Sequence, residues 1–133
     1  MRVESVVSEQ AERLKTRTMQ FALDVCRVLT ALPSWEPGPT VRRQLAKSAT
    51  SVAFNYRASC RARSHVEFTA KLGTVTEESD ESLGWLEFIE AGRFVPVSSE
   101  LTRLIQEARE LVAIFSASYG TARRKNRRDT GRS

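Results

Sequence analysis

The side chains that most often carry out chemistry are few in this sequence and are not spaced for catalysis. His65 is the only histidine, and no glutamate lies three residues before it, whereas a di-metal helical bundle uses Glu-x-x-His pairs on two helices. Cys60 lies among arginines, a setting that can lower a thiol pKa, but no neighbouring residue would orient it, and a buried structural cysteine is the simpler interpretation. Glycine-rich phosphate loops are absent. We therefore predict a protein that is not an enzyme and has no metal or other cofactor.

Polar side chains also lie within the apolar stripes of two predicted helices. Ser48, Ser51 and Asn55 fall on the packing side of the second helix, and Ser79 and Ser82 lie in the stripe of the third. Buried polar groups must be hydrogen-bonded, and acids of the third helix or backbone carbonyls could serve as their partners. A network that includes Ser51, Asn55, Glu78 and Glu81 is therefore predicted to fix the register of the helices. A ligand site is the alternative, although no small-molecule substrate is indicated.

Positive charge is concentrated in segments that could contact nucleic acid. Residues 121–133 contain six basic side chains and one acid, which accounts for the whole net charge of +5. In the remainder, residues 40–71 are mostly basic and residues 76–110 mostly acidic. Basic clusters bind phosphate backbones in a salt-dependent manner. The predicted contacts with RNA or DNA are Arg57, Arg61, Arg63, Arg123, Arg124, Lys125, Arg127 and Arg128.

The aromatic residues add little to this prediction. None is interleaved with the arginines of the C-terminal segment, so base stacking is not indicated. Trp35, in the first connection, is interpreted as a lid over the end of the bundle rather than as a stacking platform. A basic tail that only increases solubility is the alternative to one that binds nucleic acid.

Hydrophobic periodicity predicts two helices in the first half of the chain. The first covers residues 4–31, with apolar positions spaced by three and four residues. The second begins at about Thr40, its predicted N-cap, and reaches Cys60 with small residues along its stripe. The seam of the first helix is Val7, Ala11, Leu14, Thr18, Phe21, Val25, Val28 and Leu32.

Two further helices are predicted in the second half. Ser64 and Glu67 have the spacing of a capping box, which opens a third helix that stops near Gly92 and leaves His65 exposed in its first turn. The fourth helix follows Pro96 and is predicted to end at Gly120. It carries its main apolar stripe and a second, spare one, which consists of Ile105, Val112 and Tyr119.

Length and composition agree with one domain. The 133 residues are 41% hydrophobic and 28% charged, which is typical of a globular protein, and no apolar run is long enough to span a membrane. We predict an all-α, antiparallel up-down-up-down four-helix bundle over residues 1–120 and a basic, disordered tail over residues 121–133. With two cysteines in unrelated segments and no signal peptide predicted, a cytoplasmic protein with reduced thiols is expected.

Several short motifs together resemble those of a bacterial four-helix bundle family first noticed in intervening sequences of large-subunit ribosomal RNA genes. The resemblance spans roughly residues 10–118. It rests on Gln44-Leu45, Ser51-x-x-x-Asn55, Ser64-x-x-Glu67-Phe68, Glu78-x-x-Glu81 and Trp85-Leu86. The broader family reads Asn-Ile-Ala-Glu-Gly where this chain has Asn-Tyr-Arg-Ala-Ser after residue 54.

The resemblance implies a left-handed antiparallel bundle that assembles into a homopentameric ring. A related member is the accessory protein of diversity-generating retroelements, which binds a reverse transcriptase and nucleic acid. From the residues alone, opposite charges on separate helices and a spare apolar stripe also favour contacts between copies, which can close into rings. The sequence thus predicts a homo-oligomeric scaffold that contacts nucleic acid or a ribonucleoprotein. An adaptor for an unidentified protein is the alternative.

Overall fold

Four α-helices make up the part of the chain that the structure describes. The computed structural model describes residues 3–131, with side chains from residue 9 onward. The helices are α1 (Val3–Leu29), α2 (Gly38–Ser59), α3 (His65–Gly92) and α4 (Ser99–Thr130). Because no strand occurs among these residues, the all-α prediction is confirmed.

The helices pack in a closed order around one core. α2 and α4 each pack closely against both α1 and α3. Across the core, the ring of Tyr56 on α2 meets the ring of Phe115 on α4. The predicted apolar stripes face inward, because residues spaced by three and four lie on one side of a helix. Fully buried side chains from every helix meet there, among them Phe21, Val25, Leu45, Val52, Leu72, Val75, Leu86, Leu104, Leu111 and Phe115. Val7 lies outside the described side chains.

Two of the predicted helix starts are confirmed and one is wrong. The Ser64 hydroxyl accepts a hydrogen bond from the Glu67 amide at 3.1 Å, and Ser98 caps α4 in the same way. Thr40 does not cap α2, which already begins at Gly38. Proline is tolerated in a first turn, where its missing N–H has no helical acceptor, so Pro39 lies inside the helix. The Thr40 hydroxyl instead donates to the Glu36 carboxylate.

The end of α4 differs most from the prediction. The helix continues through Gly120 to Thr130, so the predicted stop at Gly120 is wrong, and the predicted disorder is corrected for residues 121–130. Residues 132 and 133 of the predicted tail lie outside the described residues. One glycine in a helix costs only about 1 kcal/mol, and tertiary contacts on both sides offset that cost. Tyr119 lies against Gly73 of α3, and Ala122 is buried.

Most of the second apolar stripe of α4 is covered within the subunit, contrary to the prediction that it is spare. Ile105 is buried in the core, and Val112 and Tyr119 are half-buried. The large apolar side chains that remain exposed lie elsewhere, and Trp35 is among them at 72% exposure, so its interpretation as a lid is wrong. The exposed set is Leu23, Trp35, Phe54, Val66, Phe88 and Val97.

Ion pairs join α1 to α4 along the outside of the bundle. Arg17 Nη2 lies 2.5 Å from Glu107 Oε1, and Arg103 Nη2 lies 2.9 Å from Asp24 Oδ2. Burial acts to raise the pKa of Asp24, but hydrogen bonds donated by Gln20 and Arg103 outweigh it, so the pKa lies below its ordinary value. These pairs orient α1 against α4, with a modest contribution to stability because the arginines are partly exposed.

Candidate nucleic-acid interface

Two basic segments that are distant in sequence, residues 57–63 and residues 123–128, lie at one end of the bundle. The short connection after α2 leads directly into His65, the first residue of α3. The His65 ring nitrogen Nε2 lies 3.1 Å from the carbonyl oxygen of Ala122. Ala122 immediately precedes Arg123, the first cation of the basic segment in α4. His65 is therefore half-buried rather than exposed as predicted, and it links the two segments.

The α2 segment forms one wall of an open groove of about 640 Å³. Arg57, Arg61 and Arg63 are exposed, and their side chains make no ion pair within the described residues. Lys71 of α3 adds a fourth positive charge on the opposite wall. Glu67 is the acid in this lining, and its carboxylate accepts a hydrogen bond from the backbone N–H of Arg63 at 3.1 Å. The groove therefore has a net positive charge.

The α4 segment projects past the start of α3 as a helix. Residues 123–130 follow the buried Ala122, and eight residues at 1.5 Å each extend about 12 Å. Cations in a last turn interact favourably with the partial negative charge of a helix C-terminus. The predicted contacts here are all exposed, and none forms an ion pair within the described part of the chain: Arg123, Arg124, Lys125, Arg127 and Arg128.

Two of these arginines have weaker contacts within α4. The guanidinium of Arg123 lies over the Tyr119 ring, 5.4 Å from its centroid, and Arg124 Nη2 donates to the Thr121 hydroxyl at 3.3 Å. Neither contact neutralises the charge. The end of α4 therefore offers its full positive charge to an external anion.

A second groove, between α1 and α4, has a different character. Its volume is about 460 Å³, and its lining includes Arg17, Asp24, Arg103 and Glu107. These are the residues of the ion pairs described above, so their charges are already compensated. This groove is less suited to a polyanion than the one beside α2.

The structure divides the predicted polar network into separate pairs. Asn55 Nδ2 donates to the Ser51 carbonyl at 3.0 Å and to its hydroxyl at 2.8 Å, within one turn of α2. Glu78 and Glu81 make no hydrogen bond to that pair within the described residues, so the network as predicted is corrected. Instead, the buried polar link between α2 and α3 is a hydrogen bond that the Ser82 hydroxyl donates to the Ser48 hydroxyl, at 2.9 Å.

Glu78 is nevertheless in an unusual environment. It is half-buried on α3, and burial, followed by the charge of Glu81, raises its pKa above the ordinary value of 4.5, while Lys47 of α2 acts in the opposite direction. The folded protein therefore binds this proton more tightly than the unfolded chain does. The ionised carboxylate lowers the stability of the bundle at neutral pH.

We expect the substitution Glu78→Gln to raise the free energy of unfolding at pH 7 by up to about 1 kcal/mol. Because the pKa is raised on folding, the penalty in the native protein disappears as the pH falls through the folded value, and it is absent below the unfolded value near 4.5. Urea unfolding across this pH range measures the difference. Glu90→Gln, at an exposed position of the same helix, is the control. An equal gain at about pH 4 would contradict the prediction.

The two cysteines lie at the surface of the bundle. Both Cys26 and Cys60 are free and exposed, so the interpretation of Cys60 as buried is wrong. Tyr56, one turn before Cys60, is buried, and burial followed by the nearby thiol raises its pKa. No group of three potential metal ligands occurs among the described residues. No helix in that part of the chain could span a membrane.

Comparison with known proteins supports the fold. No family model matches the sequence, and no curated protein matches it. Among solved structures, the chain is similar to a protein with unknown function from the S23 ribosomal protein family of Bacteroides thetaiotaomicron, with a TM-score of 0.71. The sequence identity is 20%, over 80% of this chain and 97% of that chain. At this identity, the similarity establishes a shared helical fold alone.

Proposed function

We propose that this protein is a non-enzymatic, cytoplasmic scaffold whose basic end binds the phosphate backbone of RNA or DNA, either free or within a ribonucleoprotein such as a reverse transcriptase complex. One observation carries the proposal: eight cations from two distant segments lie at one end of the bundle, and none is paired with a carboxylate within the described residues. Elsewhere, arginines such as Arg17 and Arg103 are held by acids. Uncompensated positive charge is what a phosphate backbone requires.

We also propose that the four helices form an antiparallel, up-down-up-down bundle, as implied by the bacterial family that the sequence resembles. It is supported by the order of the contacts, since Arg17 pairs with Glu107 whereas Asp24, further along α1, pairs with Arg103, earlier in α4. Short connections of a few residues favour the same topology.

We further propose that copies assemble into a homopentameric ring. The exposed acids of α3 and the basic end of the next copy have complementary charges, and head-to-tail contacts form a ring when the rotation between copies closes. A ring would bring several basic ends together and strengthen binding through multivalency. Light scattering tests it, since a mass that stays at the 15.0 kDa of one subunit at every concentration would refute assembly.

The electrostatic mechanism is tested by neutralising one segment. The triple variant Arg57→Gln, Arg61→Gln, Arg63→Gln is expected to lower affinity for an oligonucleotide at least tenfold in low salt. The slope of log affinity against log salt should become shallower by roughly 0.7–0.9 for each phosphate that the variant no longer neutralises. Fluorescence anisotropy over a salt series measures both quantities.

The matched control removes the same amount of charge elsewhere. It substitutes glutamine at Arg43, Lys47 and Arg93, which are also exposed but lie outside the two basic segments. This variant is expected to retain most of the affinity, because binding depends on where the cations lie. An equal loss in both variants, or binding that salt does not weaken, would refute the proposed interface.

An adaptor for another protein is the second candidate, favoured by an aromatic cluster around the end of α3. The Trp85 and Phe88 rings meet edge to face at 5.6 Å, and the Phe88 and Phe94 rings stack at 5.3 Å. Phe88 is 43% exposed, and nearby Val97 is almost fully exposed. Exposed aromatic side chains of this kind are typical of protein interfaces. A stoichiometric protein partner that remains bound after nuclease treatment would favour this function.

A further inference from the structure

An exposed phenylalanine lies in the basic groove beside α2. Phe54 is 57% exposed, the highest value for any phenylalanine of the chain. It is not part of the core and pairs with no other ring among the described residues. Its side chain lines the groove together with Arg57, Arg61 and Lys71. An apolar ring surrounded by cations is unsuited to an apolar partner, because burying the ring would also desolvate unpaired charges.

Helical spacing explains why the ring and Arg57 face the same way, because Arg57 follows Phe54 by three positions within α2 and residues at this interval share one face of an α-helix. Arg61 lies in the turn just after α2 ends at Ser59, and it lines the same groove. Lys71 approaches from α3 and completes the opposite wall. The groove thus offers a flat aromatic surface with positive charge on both sides.

We propose that this groove binds single-stranded nucleic acid, with Phe54 stacking on one base while Arg57, Arg61 and Lys71 contact the flanking phosphates. Proteins that bind single strands combine a cationic groove with aromatic side chains on which bases stack. In a duplex the bases are paired and stacked internally, so the ring could not reach a base face without unpairing it. This inference rests on the proposed function and specifies the partner as unpaired RNA or DNA.

The test compares a single-stranded 12-nucleotide oligonucleotide with the duplex of the same sequence. Phe54→Leu keeps an apolar side chain but removes the aromatic face. It is expected to lower affinity for the single strand about tenfold, the effect of losing one stacked base, and to change duplex affinity less than twofold. The salt dependence should not change, because no charge is removed. Phe54→Trp should restore or increase single-strand affinity.

Matched variants separate this inference from the proposed function. Phe88→Leu removes another exposed ring, near the far end of α3, and should leave both affinities unchanged. If the arginine variants weaken binding but Phe54→Leu does not, or weakens both probes equally, the stacking inference is refuted and the electrostatic function stands. If the wild-type protein binds neither probe, both are refuted. A change in oligomeric mass caused by Phe54→Leu would show that a second copy occupies the groove, and would also refute the inference.

Discussion

Phe115→Ala is expected to lower the free energy of unfolding by about 3–5 kcal/mol. The Phe115 side chain is completely buried on α4, and its ring packs against that of Tyr56 with a centroid distance of 5.3 Å. Truncation removes this packing and leaves a cavity among side chains that cannot fully close around it. Because a domain of this size is stable by about 5–15 kcal/mol, the loss is a large part of the total. Urea unfolding followed by circular dichroism at equilibrium measures it.

Phe88→Ala is the matched control for that measurement. The same side chain is removed, but Phe88 is 43% exposed and lies outside the core, so we expect a loss well below that for Phe115. The two variants should unfold with the same dependence on urea as the wild type, which shows that stability alone has changed. Equal losses at the two positions would contradict the core described here.

Gly38→Ala is expected to cost about 2–4 kcal/mol, a magnitude typical of steric overpacking and backbone displacement. Gly38 is the first residue of α2 and is buried against the preceding connection. A Cβ atom added there would overlap the carbonyl oxygen of Pro33. Because the obstacle is backbone rather than a flexible side chain, the connection between α1 and α2 would have to move. Thermal and urea unfolding of the variant test this expectation.

Gly84→Ala makes the same chemical change where space is available. Gly84 is exposed in the middle of α3, and an added Cβ would meet nothing within 4 Å. Since glycine disfavours a helix interior, this variant is expected to gain about 0.5–1 kcal/mol. Opposite signs at the two positions are therefore predicted. A stabilised Gly38→Ala protein would show that the Pro33 carbonyl is not held in place.

Hydrophobic periodicity predicted the helices and most of the core, because spacing determines which residues share a face. Phe21, Val25 and Leu32 of the first helix's predicted seam are buried as expected. The helix ends were harder to predict, since they depend on tertiary contacts that local signals do not contain. Gly120 looks like a residue that ends a helix, yet α4 continues past it because Tyr119 and Ala122 pack against the rest of the bundle.

The candidate site was predicted in part. Each basic segment is visible in the sequence, but their proximity depends on the contact between His65 and the Ala122 carbonyl, which joins residues 57 positions apart. Phe54 was not predicted as a contact, because the arginines of the C-terminal segment have no aromatic residue among them and the stacking prediction depended on that segment. The position of Phe54 three residues before Arg57 on the same predicted helix was the available signal.

Residues 123–130 of α4, which project past the start of α3, carry the densest positive charge where the helix has the fewest tertiary contacts. In residues 123–130 every side chain except that of Asn126 is exposed, so this segment can unwind locally while Phe115 and the rest of the core remain packed. A polyanion that binds the wound form must first offset the entropy of ordering it. Under the proposed function, this projecting segment would lose some affinity to that ordering, while the same cations could follow targets of different curvature.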